Sequence, residues 1–244
     1  MQVDLKDHVA LVTGASRGIG RSISTALAKA GAHVIITSRN VDQLKEVEKV
    51  IQDKGGKATV LPADLSVEED VNSLFDLIED RTGKLDILVN NAATGIWGQL
   101  IDFPMSDFDK IMKLNVRGLY LCCQRAMKLM MPQKSGYIIN ISSVVGFKGY
   151  PNQSAYTASK HAVMGITKSL AVEAREFNIQ VSAIQPGGVE TEFATAARPD
   201  LDPSVLISPE DIAATVLFLL SLSDRAWVDQ IHVRRRNGTP FIGV

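Results

Sequence analysis

Short apolar runs alternate with amphipathic stretches along almost the whole chain. Residues 8–13, His-Val-Ala-Leu-Val-Thr, have the length and content of a buried strand. Ile19, Ile23, Leu27 and Ala30 then recur at helical spacing, and Gly31 stops that helix. Residues 33–37 read as a second strand, a charged helix follows over 41–54, and Gly55-Gly56 ends it. Residues 58–61 read as a third strand. Ser66 with Glu69 three positions on predicts a capping box for the next helix. Residues 85–89 read as a fourth strand. The spacing predicts a long helix over 106–131 closed by Pro132, a fifth strand over 137–141, a helix over 154–177 and a sixth strand over 179–184. Ser208-Pro209-Glu210-Asp211 carries the cap chemistry of a last helix, and residues 228–233 read as a seventh strand. Such alternation predicts a single doubly wound α/β fold, a parallel sheet with helices on both faces. No internal repeat or linker divides the chain, so residues 1–244 are expected to form one domain.

Composition narrows the function classes. Net charge is −1, against the strongly basic balance of a nucleic-acid binder. Arg234-Arg235-Arg236 form one short basic cluster, which reads as a solvated end of the chain. Cys122 and Cys123 are adjacent and cannot build a disulfide framework, which suits a reducing compartment. Residues 1–7 lack a signal-peptide core, and the longest apolar stretch, 212–220, is too short to span a bilayer. The expectation is a cytoplasmic protein with neither membrane nor nucleic-acid partner.

The loop Thr13-Gly14-Ala15-Ser16-Arg17-Gly18-Ile19-Gly20 joins the first strand to the first helix. Glycines there permit a tight turn and close approach of backbone to a pyrophosphate on the helix N-terminus. A plain strand-to-helix turn is the other reading of three glycines. About twenty residues beyond such loops, folds that bind NAD carry an acid for the ribose hydroxyl. Here the second strand ends Thr37-Ser38-Arg39, with an arginine and no carboxylate. Arginine's planar fork suits a phosphate, and Arg17 supplies a second cation. The pair favours NADP(H) over NAD(H).

Tyr156 and Lys160 stand four apart on a predicted helix and so share a face; no other tyrosine has a lysine at that spacing. A free phenol ionises near pH ~10. A neighbouring ammonium, a positively charged nicotinamide and a helix N-terminus all favour phenolate, which predicts a Tyr156 pKa closer to the operating pH. Ser143, thirteen positions earlier at the end of the fifth strand, offers a hydroxyl to polarise a substrate carbonyl.

In this order and spacing, the motifs Thr13-Gly14-x-x-x-Gly18-Ile19-Gly20, Asp64-Leu65, Asn90-Asn91-Ala92, Asn115, Ser143, Tyr156-x-x-x-Lys160 and Pro186-Gly187 carry a resemblance to the classical short-chain dehydrogenases/reductases over residues 5–222. The resemblance implies a Rossmann-type fold and hydride transfer between NADP(H) and a ketone or secondary alcohol. It implies that Ser143, Tyr156, Lys160 and Asn115 are the catalytic set, with Asn115 holding a water through its backbone carbonyl and Lys160 also binding the nicotinamide ribose. It implies a cofactor site of Gly14, Ser16, Arg17, Gly18, Ile19, Gly20, Ser38 and Arg39, with Asp64 and Leu65 at the adenine. Asn91 and Ala92 continue the path, Asn90 steadies the fourth strand, and Pro186, Gly187, Val189 and Thr191 meet the nicotinamide. It also implies a homo-oligomer, dimer or tetramer, paired through the helices that hold Asn115 and Tyr156. No metal enters this expectation.

The sequence departs from the family pattern in three places. Ala93 replaces the glycine usual after Asn-Asn-Ala, and Arg234-Arg235-Arg236 replace the usual Asp-Gly-Gly after the last strand. Only eighteen positions separate Thr191 from Pro209, a short substrate lid that predicts an open site. The general likeness is to NADPH-dependent 3-oxoacyl carrier-protein reductases and carbonyl reductases. Val172, after Leu170-Ala171, stands where a carrier-docking arginine is often found. A sugar or polyol dehydrogenase, and a catalytically silent dinucleotide-binding sensor or scaffold, are the alternatives. Thr94, Trp97, Val145, Phe147, Tyr150 and Gly188 flank the strand ends and are expected to shape the substrate pocket. They are mostly apolar, with Lys148 the one cation among them, which predicts preference for uncharged ketones over compact acids such as pyruvate.

Overall fold

The computed structural model describes residues 3–197 and 202–238. Seven strands form one parallel sheet: β1 (Val9–Thr13), β2 (His33–Thr37), β3 (Lys57–Val60), β4 (Ile87–Asn90), β5 (Gly136–Ile141), β6 (Ile179–Pro186) and β7 (Gln230–Val233). Their order is β3-β2-β1-β4-β5-β6-β7, with every pair parallel. Val12 registers with Ile36 on one side and Val89 on the other. The chain winds outward from β1 to β3 and then resumes at β4 on the other side of β1. That reversal opens a crevice at the carboxyl ends of β1 and β4, where ligands of such sheets bind.

Both faces of the sheet are dry, as parallel sheets require. Val12 and Ile36 face one layer, packing with Ile23 and Leu27 of α1 (Gly18–Lys29), Leu44 of α2 (Val41–Asp53), and Val216 of α8 (Pro209–Leu220). Leu11 and Leu88 face the other layer. There they meet Phe75 of α3 (Glu68–Thr82), Met130 of α5 (Leu119–Gln133) and Val163 of α6 (Ser154–Ala174). Adjacent strand residues point to opposite faces, so a continuous apolar run is what a doubly covered strand needs.

Helix ends follow local chemistry, with three differences from expectation. Asn40 caps α2 by accepting from the Gln43 amide (3.1 Å), and Ser208 caps α8 by accepting from Glu210 (3.2 Å). The capping box at Ser66 does not form: the N-cap of α3 is Val67, with no side-chain cap. The Asp64 carboxylate takes both the Ser66 amide (2.9 Å) and hydroxyl (2.8 Å) instead. With its amide and hydroxyl both donating to Asp64, Ser66 is held in the turn ahead of the helix, and the N-cap falls one residue later, at Val67. The helix expected over 106–131 is α4 (Met105–Met112), a π segment (Lys113–Gly118) and α5, with Pro132 inside the last turn. The helix expected to reach residue 177 ends as α6 at Ala174, and a 3-10 turn, Arg175–Phe177, completes it. Among the described residues, no helix is long and apolar enough to cross a membrane.

Candidate active site

The crevice at the strand ends is a cavity of about 770 Å³. At one end lies the turn after β1. Gly14 has φ +63° and Gly18 φ +51°, and a Cβ on Gly14 would sit 2.9 Å from the Ala92 Cα. A Cβ on Gly20 would meet the Gly14 carbonyl oxygen at 2.2 Å, so Gly20 buttresses the turn from behind and does not line the cavity. Side chains brace the turn against β4. Thr13 Oγ1 accepts from the amides of Asn91 (2.9 Å) and Ala92 (3.0 Å). The Asn91 amide group donates to the carbonyls of Thr13 (2.9 Å) and Gly14 (3.1 Å). Backbone is thereby brought close to the cavity with no side chain in between, the cradle a pyrophosphate needs.

Ser38, Arg39, Asp64 and Leu65 line the same end. The Arg39 guanidinium is largely exposed and stands 3.9 Å from Asp64. Partial burial opposes ionisation of Asp64. Hydrogen bonds from Ser66 and the charges of Arg39 and Lys113 outweigh it and hold its pKa below the ordinary value. Arg17 is also exposed, and it is paired with Glu192 of the short helix α7 (Glu192–Ala197). Arg17 lines the cavity, and nothing in the sequence signalled its pairing with Glu192.

At the other end, Ser143, Tyr156 and Lys160 line the cavity together. Ser143 follows β5 and caps a 3-10 turn, Val144–Gly146, by accepting from the Val145 amide (3.3 Å). Lys160 donates to the Ile141 carbonyl (2.9 Å), and its Nζ lies 5.7 Å from the centre of the Tyr156 ring. Burial pulls the Lys160 ammonium down to about 8. The phenol departs from expectation: burial pushes the Tyr156 pKa well up, and the Ser143 hydrogen bond opposes that only in part. Desolvation of the anion is the larger effect because the ring is almost fully enclosed.

Asn115 lies in the π segment and does not line the cavity. Its side chain accepts from the Thr94 amide (2.8 Å) and donates to the Thr94 carbonyl (2.8 Å) and Ser159 Oγ (3.1 Å). Ser159 in turn donates to the Tyr156 carbonyl (2.7 Å). Asn115 therefore ties the loop after β4 to the helix carrying Tyr156. In the same π segment, Gly118 lies against the loop after β3, where a Cβ would meet the Leu65 carbonyl at 2.4 Å. Behind the site, Asn90 donates to Asn140 (2.9 Å) and Asn140 to Thr167 (2.9 Å), a buried polar chain from β4 through β5 to α6.

Ser16, Ile19, Pro186, Gly187, Val189 and Thr191 line the cavity as expected. Of the six expected pocket residues, Trp97, Val145, Tyr150 and Gly188 do so. Thr94 and Phe147 do not. Thr94 is held by Asn115, and Phe147 stacks on His232 with centroids 4.4 Å apart and rings 2° from parallel. The short lid covers more than its length suggests. A bridge between Val189 and Ile207 closes its base, and Phe193 lies 5.5 Å from Tyr156 and 5.6 Å from Trp97. Trp97 meets Tyr156 edge-on at 5.2 Å. Residues 198–201 of the lid lie outside the described residues. Sequence reasoning missed Phe193, though it stands two positions after Thr191. It also read all of Arg234-Arg235-Arg236 as solvated, whereas Arg235 lines the cavity.

The sequence profile described as short chain dehydrogenase matches residues 8–202. The chain is 37% identical to 3-oxoacyl-[acyl-carrier-protein] reductase FabG of Aquifex aeolicus (strain VF5), over 99% of this chain and 100% of the relative. Among solved structures, it resembles a metagenomic short-chain oxidoreductase in complex with NADP, with a TM-score of 0.84 and 34% identity over 95% of this chain and 98% of that one. It also resembles a variant of actinorhodin polyketide ketoreductase with NADPH, with a TM-score of 0.88 and 28% identity over 93% and 96%. Matched by family profile, full-length relative and fold alike, the chain belongs to the short-chain dehydrogenase family.

Proposed function

We propose that this protein is an NADP(H)-dependent oxidoreductase that interconverts a ketone and a secondary alcohol. One observation carries the reading: Ser143, Tyr156 and Lys160 converge on one end of a cavity whose other end is a glycine cradle flanked by Arg17 and Arg39. The cradle fits a dinucleotide because glycines at 14 and 18, with φ of +63° and +51°, keep the turn tight and place its backbone on the cavity. Gly14, Ser16, Gly18 and Ile19 hold the pyrophosphate. Arg17 and Arg39 meet the 2′-phosphate, and Pro186 to Thr191 flank the nicotinamide. The cofactor, when bound, supplies or accepts the hydride.

The chain's own groups manage the proton. Ser143 and Tyr156 donate hydrogen bonds to the substrate carbonyl oxygen and polarise it. Tyr156 stays a neutral phenol at neutral pH because burial raises its pKa, so it has a proton to give as the oxygen becomes basic. The Lys160 ammonium, held by the Ile141 carbonyl beside the ring, stabilises the phenolate left behind. Asn115 is a positioning residue that fixes α6 relative to the loop after β4.

The aromatic wall of Trp97, Tyr150 and Phe193 favours a ketone with apolar bulk over a polyol. The Aquifex reductase at 37% identity makes a 3-oxoacyl thioester one case of that class. Val172 is exposed and apolar at the position where carrier docking calls for a cation, which weighs against a carrier-bound form. A homo-oligomer fits the exposed Leu100, Ile101, Met105 and Tyr120 on or beside α4 and α5. The test is oxidation of NADPH and of NADH with a panel of ketones, diketones, oxoacyl thioesters and sugars. NADPH-dependent turnover of ketones supports the reading. Cofactor binding with no turnover across the panel makes the protein a dinucleotide-binding sensor or scaffold.

A further inference from the structure

Arg235 lines the cavity but neither holds the cofactor nor moves the proton in the proposed reaction. β7 pairs with β6 in the register Pro186↔Val233, and the Gly187 amide donates to the Val233 carbonyl (2.8 Å). That pairing carries the chain past Val233 to the mouth of the cavity. A Cβ on Gly188 would lie 3.6 Å from Arg235 Cδ and 3.9 Å from Nε, so the arginine stem lies across that glycine. The neighbouring Arg234 turns back on the chain and donates to the carbonyls of Arg235 (3.1 Å), Arg236 (3.3 Å) and Gly238. Arg234 is spent on closing its own turn. Arg235 is not: its Nη1 is buried, and it has no hydrogen-bond partner. Among the described residues, no carboxylate lies within 4 Å of its guanidinium. Of the acids lining the cavity, Glu192 is paired with Arg17, Asp64 lies beside Arg39, and Glu190 is exposed. A buried, unpaired guanidinium nitrogen is costly unless an anion meets it.

Sheet geometry says which molecule that anion belongs to. Arg39 follows β2 and Arg235 follows β7, five strands apart in the sheet order, or about 24 Å at the usual strand spacing. Arg235 therefore stands far from the end assigned to the cofactor's 2′-phosphate. Ser143 follows β5, two strands away, or about 10 Å. An anion on Arg235 and a carbonyl at Ser143 and Tyr156 are thus separated by several bonds of one substrate. The cations lining the cavity are Arg17, Arg39, Lys160 and Arg235. Among the described residues, Arg235 is the sole one on the β7 side of Lys160, and Gly188, which its stem crosses, is also met by Leu206 and Ile207. A single cation among apolar groups matches a monoanion better than a phosphate dianion.

We propose that Arg235 binds a carboxylate at the far end of an extended oxo acid, several carbons from the carbonyl that is reduced. This rests on the reductase reading and narrows its substrate class. It also changes the expectation of an uncharged substrate. Compact acids such as pyruvate stay excluded, because their carboxylate adjoins the carbonyl and cannot span the two points.

The test compares 6-oxoheptanoate with its methyl ester as substrates, with NADPH, in the wild type, Arg235→Met and Arg235→Lys. Met keeps the stem and removes the charge. The expected result is a wild-type preference for the acid. Arg235→Met should lower kcat/KM for the acid by roughly tenfold to a hundredfold, the worth of a charge-assisted hydrogen bond. It should leave the ester within about twofold, and Arg235→Lys should restore part of the loss. An acid preference that survives in Arg235→Met overturns the proposal, as does an equal loss for both substrates. A second measurement separates this proposal from the reductase reading. Calorimetry follows binding of 6-hydroxyheptanoate and its amide to the protein loaded with NADP⁺. If neither of these two nor any ketone of the wider panel is turned over, the reductase reading fails, while binding still decides Arg235. A hydroxy acid that binds better than its amide only when Arg235 is present supports the site, and equal binding in the wild type refutes it.

Discussion

Arg17 and Glu192 join the glycine loop to the helix of the lid through an ion pair. Both side chains are largely exposed, so the pair contributes at most about 1 kcal/mol to stability. Its consequence lies in binding, since the proposed function gives the Arg17 guanidinium to the cofactor's 2′-phosphate and Glu192 occupies it. Glu192→Gln should therefore tighten NADPH by up to about fivefold in calorimetric titration and leave NADH unchanged. Weaker NADPH binding in that variant would mean that Glu192 positions Arg17 instead of competing for it. Arg39→Ala should act in the opposite sense, weakening NADPH by about tenfold or more with little effect on NADH. Equal affinity of the wild type for the two cofactors would remove the phosphate assignment of both arginines.

Tyr156→Phe keeps the ring that Trp97 and Phe193 contact and removes only the hydroxyl. Turnover should fall to background while NADPH binding and melting temperature stay near wild type. Activity within tenfold of wild type would take the phenol out of the mechanism.

Burial of Lys160 gives stability a definite pH dependence. Its folded pKa, about 8, lies below the ordinary lysine value of 10.5. Between those values the unfolded chain binds more protons than the folded one, so stability rises with pH across that window. Below about pH 8 both states are protonated and the full cost of the buried ammonium is present. Lys160→Met removes the titration. From pH 8 to 10.5 the wild type should therefore gain up to about 3 kcal/mol relative to Lys160→Met, read by chemical denaturation. Parallel curves for the two proteins would show that the ammonium is solvated in the folded state. The raised Tyr156 pKa works the other way, but only above the ordinary phenol value of 10, at the top of this window.

Trp97 and Phe147 should separate by mechanism. Trp97 lines the cavity against Tyr156, whereas Phe147 stacks on His232 away from it. Trp97→Ala should change the ratio of kcat/KM between small and bulky ketones, since specificity is a difference in transition-state binding. Phe147→Ala should lower all efficiencies together, in step with a lower melting temperature. A specificity change confined to Phe147→Ala would place the substrate on the other side of the 144–150 loop.

The sequence by itself determined the strand and helix order, because a doubly covered parallel strand must be an unbroken apolar run and an outer helix must be amphipathic. Residues 8–13 and 33–37 appear as β1 and β2 within one position, and Asn40 and Ser208 act as caps through local hydrogen bonds. The glycine loop and the Tyr156–Lys160 pair were legible for the same reason: each depends on spacing within one turn or one helix. Tertiary structure decided whatever depends on which groups from distant segments meet. Ser66 does not cap α3, because the loop after β3 brings the Asp64 carboxylate to its amide and hydroxyl and holds it in the turn before the helix. Asn115 sits in a π turn, from which its side chain reaches the backbone of Thr94, a residue twenty-one positions earlier. Arg235 reads as one of three equivalent cations until β7 registers against β6. That register leaves Arg234 to its own turn and sets Arg235 at the edge of the cavity, with its Nη1 buried and without a hydrogen-bond partner. Charge is written in the sequence, but the partner a charge finds, or lacks, is set by strand pairing between residues some fifty positions apart.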